Sequence, residues 1–182
     1  LINTNRVETK IYRVDLLYDR VTLLDIILNK EGSFAVAAGV GYGYDSFTHD
    51  LQISEFNNSL VFSPADGISS NNISIHNLEF PIQLRWRTSS ANVYKFWRVY
   101  AGVKVLRNIS NEFNYTMDSL ETSFKNIDTF NQWQYGLTLS AGYDVFNFHL
   151  YYGLSPILKN ALLTSKPINT KILKFGLVFY IL

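Results

Sequence analysis

The stretch 78–100 limits the possible folds of this chain more than any other segment. It reads LEFPIQLRWRT, then SSANVYKF, then WRVY. In its first half Leu78, Phe80, Ile82, Leu84 and Trp86 alternate with Glu79, Pro81, Gln83, Arg85 and Arg87. Side chains of a strand point to opposite faces with period 2, so this segment is extended, with one apolar face and one polar, charged face. A few polar residues follow, and a second long segment begins at Trp97. Such a hairpin suits a soluble β-sandwich. It equally suits a membrane barrel with the apolar face in lipid and the charged face in the lumen.

The rest of the chain decides between these solvents. Segments 6–18 and 21–28 read as a first and second strand, and Asn29-Lys30-Glu31-Gly32 as a tight turn. In a third strand, 34–44, Phe34, Val36, Ala38, Val40, Tyr42 and Tyr44 oppose Ala35, Ala37, Gly39, Gly41 and Gly43. Segment 48–74 turns polar and reads as a long loop with a short strand near 60–62. The fourth strand is the opening segment, followed by a turn at 89–92. The fifth, to about Leu106, sets Trp97, Val99, Ala101, Val103 and Val105 against Arg98, Tyr100, Gly102 and Lys104. A second polar loop spans 108–130. The sixth strand, 132–145, alternates cleanly, and a tight connection at Phe146-Asn147 leads to the seventh. There Phe148, Leu150, Tyr152 and Leu154 oppose Asn147, His149, Tyr151 and Gly153. A third loop, 156–170, precedes a last strand at 172–181.

This is about eight strands with no helix, in which short turns (29–32, 89–92, 146–147) alternate with long loops (48–74, 108–130, 156–170). Outer-membrane barrels show that alternation, and strands of about 9–11 residues cross a tilted bilayer. The expectation is one domain, 1–182: an all-β, eight-stranded, antiparallel up-and-down transmembrane barrel with short periplasmic turns and three long extracellular loops. Composition agrees. Hydrophobic residues make up 47% of the chain and charged residues 17%, below the ~25% usual for soluble domains. No run of about 20 apolar residues offers a membrane helix, so membrane insertion implies a barrel. The net charge of +1 gives no electrostatic case for a nucleic-acid partner. The absence of Cys excludes disulfides, thiolate metal sites and a Cys nucleophile.

The expected inner face collects Glu79, Gln83, Arg85, Arg87, Arg98, Lys104, Asp144 and His149. An eight-stranded barrel is just wide enough to be filled by its own side chains, so these residues read as a lumen network of salt bridges and hydrogen bonds. The competing reading is a small pore or ligand-binding barrel in which Arg85, Arg87, Arg98 and Lys104 attract anions. Trp86, Tyr94 and Trp97 gather at the short-turn end; Trp133 and Tyr135, with Tyr42 and Tyr44, sit near the long-loop end. These form two interfacial girdles. Gly39, Gly41 and Gly43 lack the spacing and strand-to-helix context of a phosphate loop. His49, His76 and His149 have no metal-ligand spacing. No acid-base or Ser-His-Asp constellation appears, so the expectation is a non-enzyme without cofactor or metal. Asp118-Ser119-Leu120 matches a short bacterial O-glycosylation pattern.

LEFPIQLRWRT, YKFWRVYAGVK, QWQYGLTLSAGYDVF-NFHLYYGLSPIL and KFGLVFYIL together resemble the PorT-like outer-membrane β-barrel proteins of Bacteroidota. The resemblance covers the C-terminal hundred or so residues well and the first half loosely. It implies eight antiparallel strands and export to the outer membrane. The family's namesake is linked to type IX secretion. The function implied is a structural or accessory subunit of an outer-membrane complex, related to protein secretion. The expected partners are the lipid bilayer, lipopolysaccharide and other outer-membrane proteins.

Overall fold

The structure is a computed structural model that describes residues 19–48, 51–56, 59–64, 68–88, 96–117, 120–159, 162–163, 166–167 and 170–179. Alternation creates its strands, and backbone pairing runs further than alternation does. In chain order they are β1 (Asp19–Ile27), β2 (Phe34–Thr48), β3 (Leu51–Phe56), β4 (Ser59–Pro64), β5 (Ile68–Arg87), β6 (Trp97–Met117), β7 (Leu120–Lys125), β8 (Trp133–Tyr143), β9 (Phe146–Gly153), β10 (Leu162–Leu163), β11 (Lys166–Pro167) and β12 (Leu173–Phe179). One eight-stranded antiparallel sheet runs β1-β2-β5-β6-β8-β9-β12, with β7 paired to β6. Among the described residues β1 and β12 do not pair, so the sheet is not closed by its own ladder. A second, four-stranded sheet, β11-β10-β4-β3, includes a parallel β10–β4 pair. The expected strand 6–18, the turn 89–92, Tyr94, His49, Asp118 and Ser119 lie outside the described residues.

Two of the three expected long loops are largely strand. β5 is 20 residues long and β6 is 21, so the β5–β6 hairpin absorbs much of 48–74 and 108–130. β7 then folds back on β6 from Met117↔Leu120 to Glu112↔Lys125. Among its described residues, segment 156–170 holds the two-residue strands β10 and β11. Hydropathy hides the β6 extension for a geometric reason. Between His76↔Ser110 and Asn77↔Asn108 the register slips, leaving Ile109 as an extra residue. A one-residue bulge moves every later side chain to the other face. β6 therefore buries even positions up to Leu106 and odd positions, Asn111 and Phe113, beyond it.

The tight connection also moves. Tyr143 pairs with Phe146, which places the turn at Asp144-Val145 rather than Phe146-Asn147. Asp144 has φ 55°, the left-handed region that Asp tolerates because its short polar side chain can bond locally. Pro81 sits within β5 where the β2–β5 ladder skips from Ala38↔Ile82 to Gly41↔Glu79. A residue with no N–H interrupts a ladder there without shifting it.

At the β6–β7 hairpin, Ser123 Oγ donates to Glu112 at 3.1 Å and Lys125 Nζ lies 3.6 Å away. The Ser123 hydrogen bond, then one from Asn114, holds the Glu112 carboxyl below its ordinary value. A depressed folded pKa stabilises the hairpin above the ordinary carboxylate range, and the contribution disappears as pH falls through the folded value. A carboxyl-carbon NMR titration should show the Glu112 midpoint rising in Ser123→Ala. An unmoved midpoint would refute this assignment.

Candidate functional site in the barrel interior

The molecule is inside-out for a soluble protein. Leu78, Phe80, Ile82, Leu84 and Trp86 on β5 are exposed, as are Leu137, Leu139, Phe148, Leu150, Phe175 and Leu177 on β8, β9 and β12. Buried on the opposite face are Asp45, Glu79, Gln83, Arg98, Lys104, His149 and Lys174. Monomers in water rarely expose contiguous apolar surface beyond a few hundred Å². Hydrocarbon around the sheet removes the conflict.

The interior is built in layers. At its centre Lys104 Nζ donates to both Glu79 oxygens, at 2.9 and 3.0 Å, with side-chain exposures of 0% and 1%. Lys174 on β12 reaches Asp45 on β2 at 2.6 Å, and Asn77 Nδ2 donates to the same carboxylate at 3.2 Å. The ring of Tyr151 lies between these pairs, 4.7 Å from the Lys104 ammonium and 5.4 Å from that of Lys174. Gly136 makes room for it, since a Cβ there would meet the Tyr151 ring at 2.6 Å. Desolvated ammonium ions are thus satisfied by a carboxylate and an aromatic face together.

Toward the short turns, Arg85 donates to Asp25 at 3.2 Å, Thr22 at 3.1 Å and Gln83 at 3.4 Å, and its guanidinium lies 5.1 Å from the Tyr100 ring centre. Arg87 donates to the Gly32 carbonyl at 3.2 Å and sits 3.9 Å from Asp25. Arg98 donates to the Asp144 carbonyl at 2.7 Å and stacks on Phe96. Asp144 thus enters through its backbone, from the turn. His149 is buried opposite Ser140 on β8 and Gly176 on β12. Toward the loops, Phe47, Ile73, Ile75, Leu106, Phe113, Phe130, Ile157, Leu158 and Ile172 form an apolar cluster that also touches Tyr151.

The structure brings Glu79 together with Lys104, and Arg85 together with Arg87 and Gln83. Sequence reasoning missed the counter-charges Asp25 and Asp45 and the cation Lys174. Asp45 was one step from discovery, since it continues the face of Gly41 and Gly43. Asp25 was hidden by a bulge at Leu23, which places Thr22 and Asp25 on one side of β1. Of the aromatics, Trp97 packs on Tyr143 at 5.4 Å, beside the short turns. Trp86 is paired with Phe34 and Val99 near the same end. Trp133 lies on the rung Tyr42–Leu78–Arg107–Trp133, two residues from Tyr135, and carries the Arg107 guanidinium at 4.7 Å.

A curled antiparallel sheet with paired charges inside and a continuous apolar exterior defines the class: a transmembrane β-barrel. Residues 23–159 match the family described as outer membrane protein beta-barrel domain, and the chain belongs to that family. Its place is therefore the outer membrane. No curated protein and no solved structure matches it.

Proposed function

We propose that the protein is a non-conducting, non-enzymatic barrel that serves as a structural or accessory subunit of a larger outer-membrane assembly, in protein secretion or export. The observation that carries this reading is the paired layer Lys104–Glu79 and Lys174–Asp45 around Tyr151, backed by the apolar cluster. An interior occupied in this way leaves the outer surface and the projecting strands as the roomy places for contact. In this reading the short turns are periplasmic and the β5–β6–β7 extension is external. Lipid covers the apolar face between the two aromatic belts. Arg107 on Trp133 adjoins a polar recess of about 380 Å³ lined by Asn108, Ser110, Asn111, Asn126 and Asp128. That corner suits phosphate and sugar groups of lipopolysaccharide.

The alternative, a cation-lined pore, loses support because Lys104 and Arg85 each carry a carboxylate partner. Purified barrel in planar bilayers should show no steady solute conductance. A detergent pull-down should retain other outer-membrane proteins. Substantial conductance by the isolated chain would overturn the proposal.

A further inference from the structure

We propose that the short-turn half of the interior is a hydrated chamber, entered from the short-turn side only, with the Lys104–Glu79 and Lys174–Asp45 layer as its floor. Four buried atoms carry the proposal. Gln83 Nε2, Thr138 Oγ1, Ser140 Oγ and Asn147 Oδ1 have no protein hydrogen-bond partner, and their residues are at most 3% exposed. They lie on β5, β8 and β9, the strands around β6, and the register sets them close to one another. Gln83 and Thr138 flank Gly102, Arg98 and Asn147 flank Gly142, and Ser140 lies beside Tyr100. The two glycines contribute no side chain to the patch.

A buried polar group left unmet is costly, and four in one patch are more than a marginally stable fold sustains. Water removes the cost, and the patch supplies the two to four partners that a buried water needs. The four atoms are uncharged, and together they donate and accept. The occupant that meets all four is water, or a small neutral hydroxylated molecule in its place, and the unmet Arg85 Nε on the same side offers it one more donor.

Access is one-sided. Side-chain exposure falls from 31% at Asp25 and 22% at Arg87 to 11% at Arg85. It reaches 1% at Glu79 and 0% at Lys104. Beyond the floor Ile73, Ile75, Leu106 and Phe113 are buried together, with Asn71, Asn111 and Gln134 buried among them. That packed cluster closes the loop side against solvent.

The absence of native cysteine makes the test clean, because one introduced thiol is the only one in the chain. Ser140→Cys lies in the chamber, and Ile75→Cys lies beyond the floor. Each variant, folded and inserted in one orientation in lipid vesicles, is exposed to the membrane-impermeant 2-sulfonatoethyl methanethiosulfonate from one side at a time. Ser140→Cys should be fully modified from the short-turn side and unmodified from the loop side. Ile75→Cys should stay unmodified from the short-turn side. An inert Ser140→Cys would overturn the chamber and leave the non-conducting reading intact. Modification of Ser140→Cys from both sides would overturn the floor and that reading together. On the unaltered protein, water-to-protein magnetisation transfer should reach the Gln83 side-chain amide. Silence at Gln83 would overturn the chamber whatever the variants do.

Discussion

Replacing Lys104 by methionine is expected to destabilise the folded barrel by about 3–5 kcal/mol, the range for removing one partner of a buried ion pair. The substitution nearly conserves volume, so the loss is electrostatic rather than a cavity. Glu79 loses an ammonium that contacts both of its oxygens, in a site where neither side chain meets solvent. Adding Glu79→Leu should recover most of the loss, because the charge that had become costly is gone. The double-mutant cycle isolates that coupling. Reversible urea unfolding in lipid vesicles measures it, and heat-modifiable migration on gels reports whether the barrel forms. A single variant within about 0.5 kcal/mol of the parent, the range of neutral surface changes, would count against a buried structural pair.

Gly102→Ala should also be strongly destabilising. A Cβ at Gly102 would stand 2.0 Å from the Ile82 carbonyl oxygen and 2.8 Å from the Gln83 Cα. Both are backbone atoms of the neighbouring strand, so no side-chain rotation relieves the clash. β5 and β6 must separate in the middle of a ladder that runs without a break from Asn77↔Asn108 to Arg87↔Arg98. Overpacking of this kind costs about 1–3 kcal/mol and occasionally more; contact with backbone places Gly102→Ala at the upper end, with most of the protein failing to assemble. Gly176→Ala is the matched control, since a Cβ there meets nothing within 4 Å. Equal assembly of the two variants would show that strand crowding at Gly102 is not a constraint.

How legible the fold was varies along the chain for physical reasons. β8 and β9 alternate strictly, and their buried and exposed positions follow the sequence pattern residue by residue. The same holds for β6 up to Leu106. Past that point the Ile109 bulge exchanges the two faces, and the hydropathy pattern loses phase although the backbone stays paired. Polar residues conceal the rest. Ser70, Asn71, Asn72 and Ser74 read as loop because they carry little apolar signal, yet all pair across to β6. β-propensity is a weak guide where ladder bonds with neighbours supply the structure.

The interior was half legible. Period 2 put Arg85, Arg87, Arg98 and Lys104 on the polar faces of their strands, because a strand's faces are a local property. It did not give their partners, since an ion pair joins distant segments: Lys174 and Asp45 are 129 residues apart.

The sequence by itself determined that strands form, where the clean ones lie, and which of their faces is apolar. It also determined that the chain cannot cross a membrane by a long apolar helix. These follow from local alternation and from the length of apolar runs. Only the tertiary structure decided that the polar face turns inward as a set of paired charges. It also placed Tyr151 between two ammonium ions, closed the loop side with an apolar cluster, and left polar atoms of Gln83, Thr138, Ser140 and Asn147 on the turn side without protein partners. Those features depend on register, bulges and curvature, which bring together residues that nothing in the linear chain marks as neighbours.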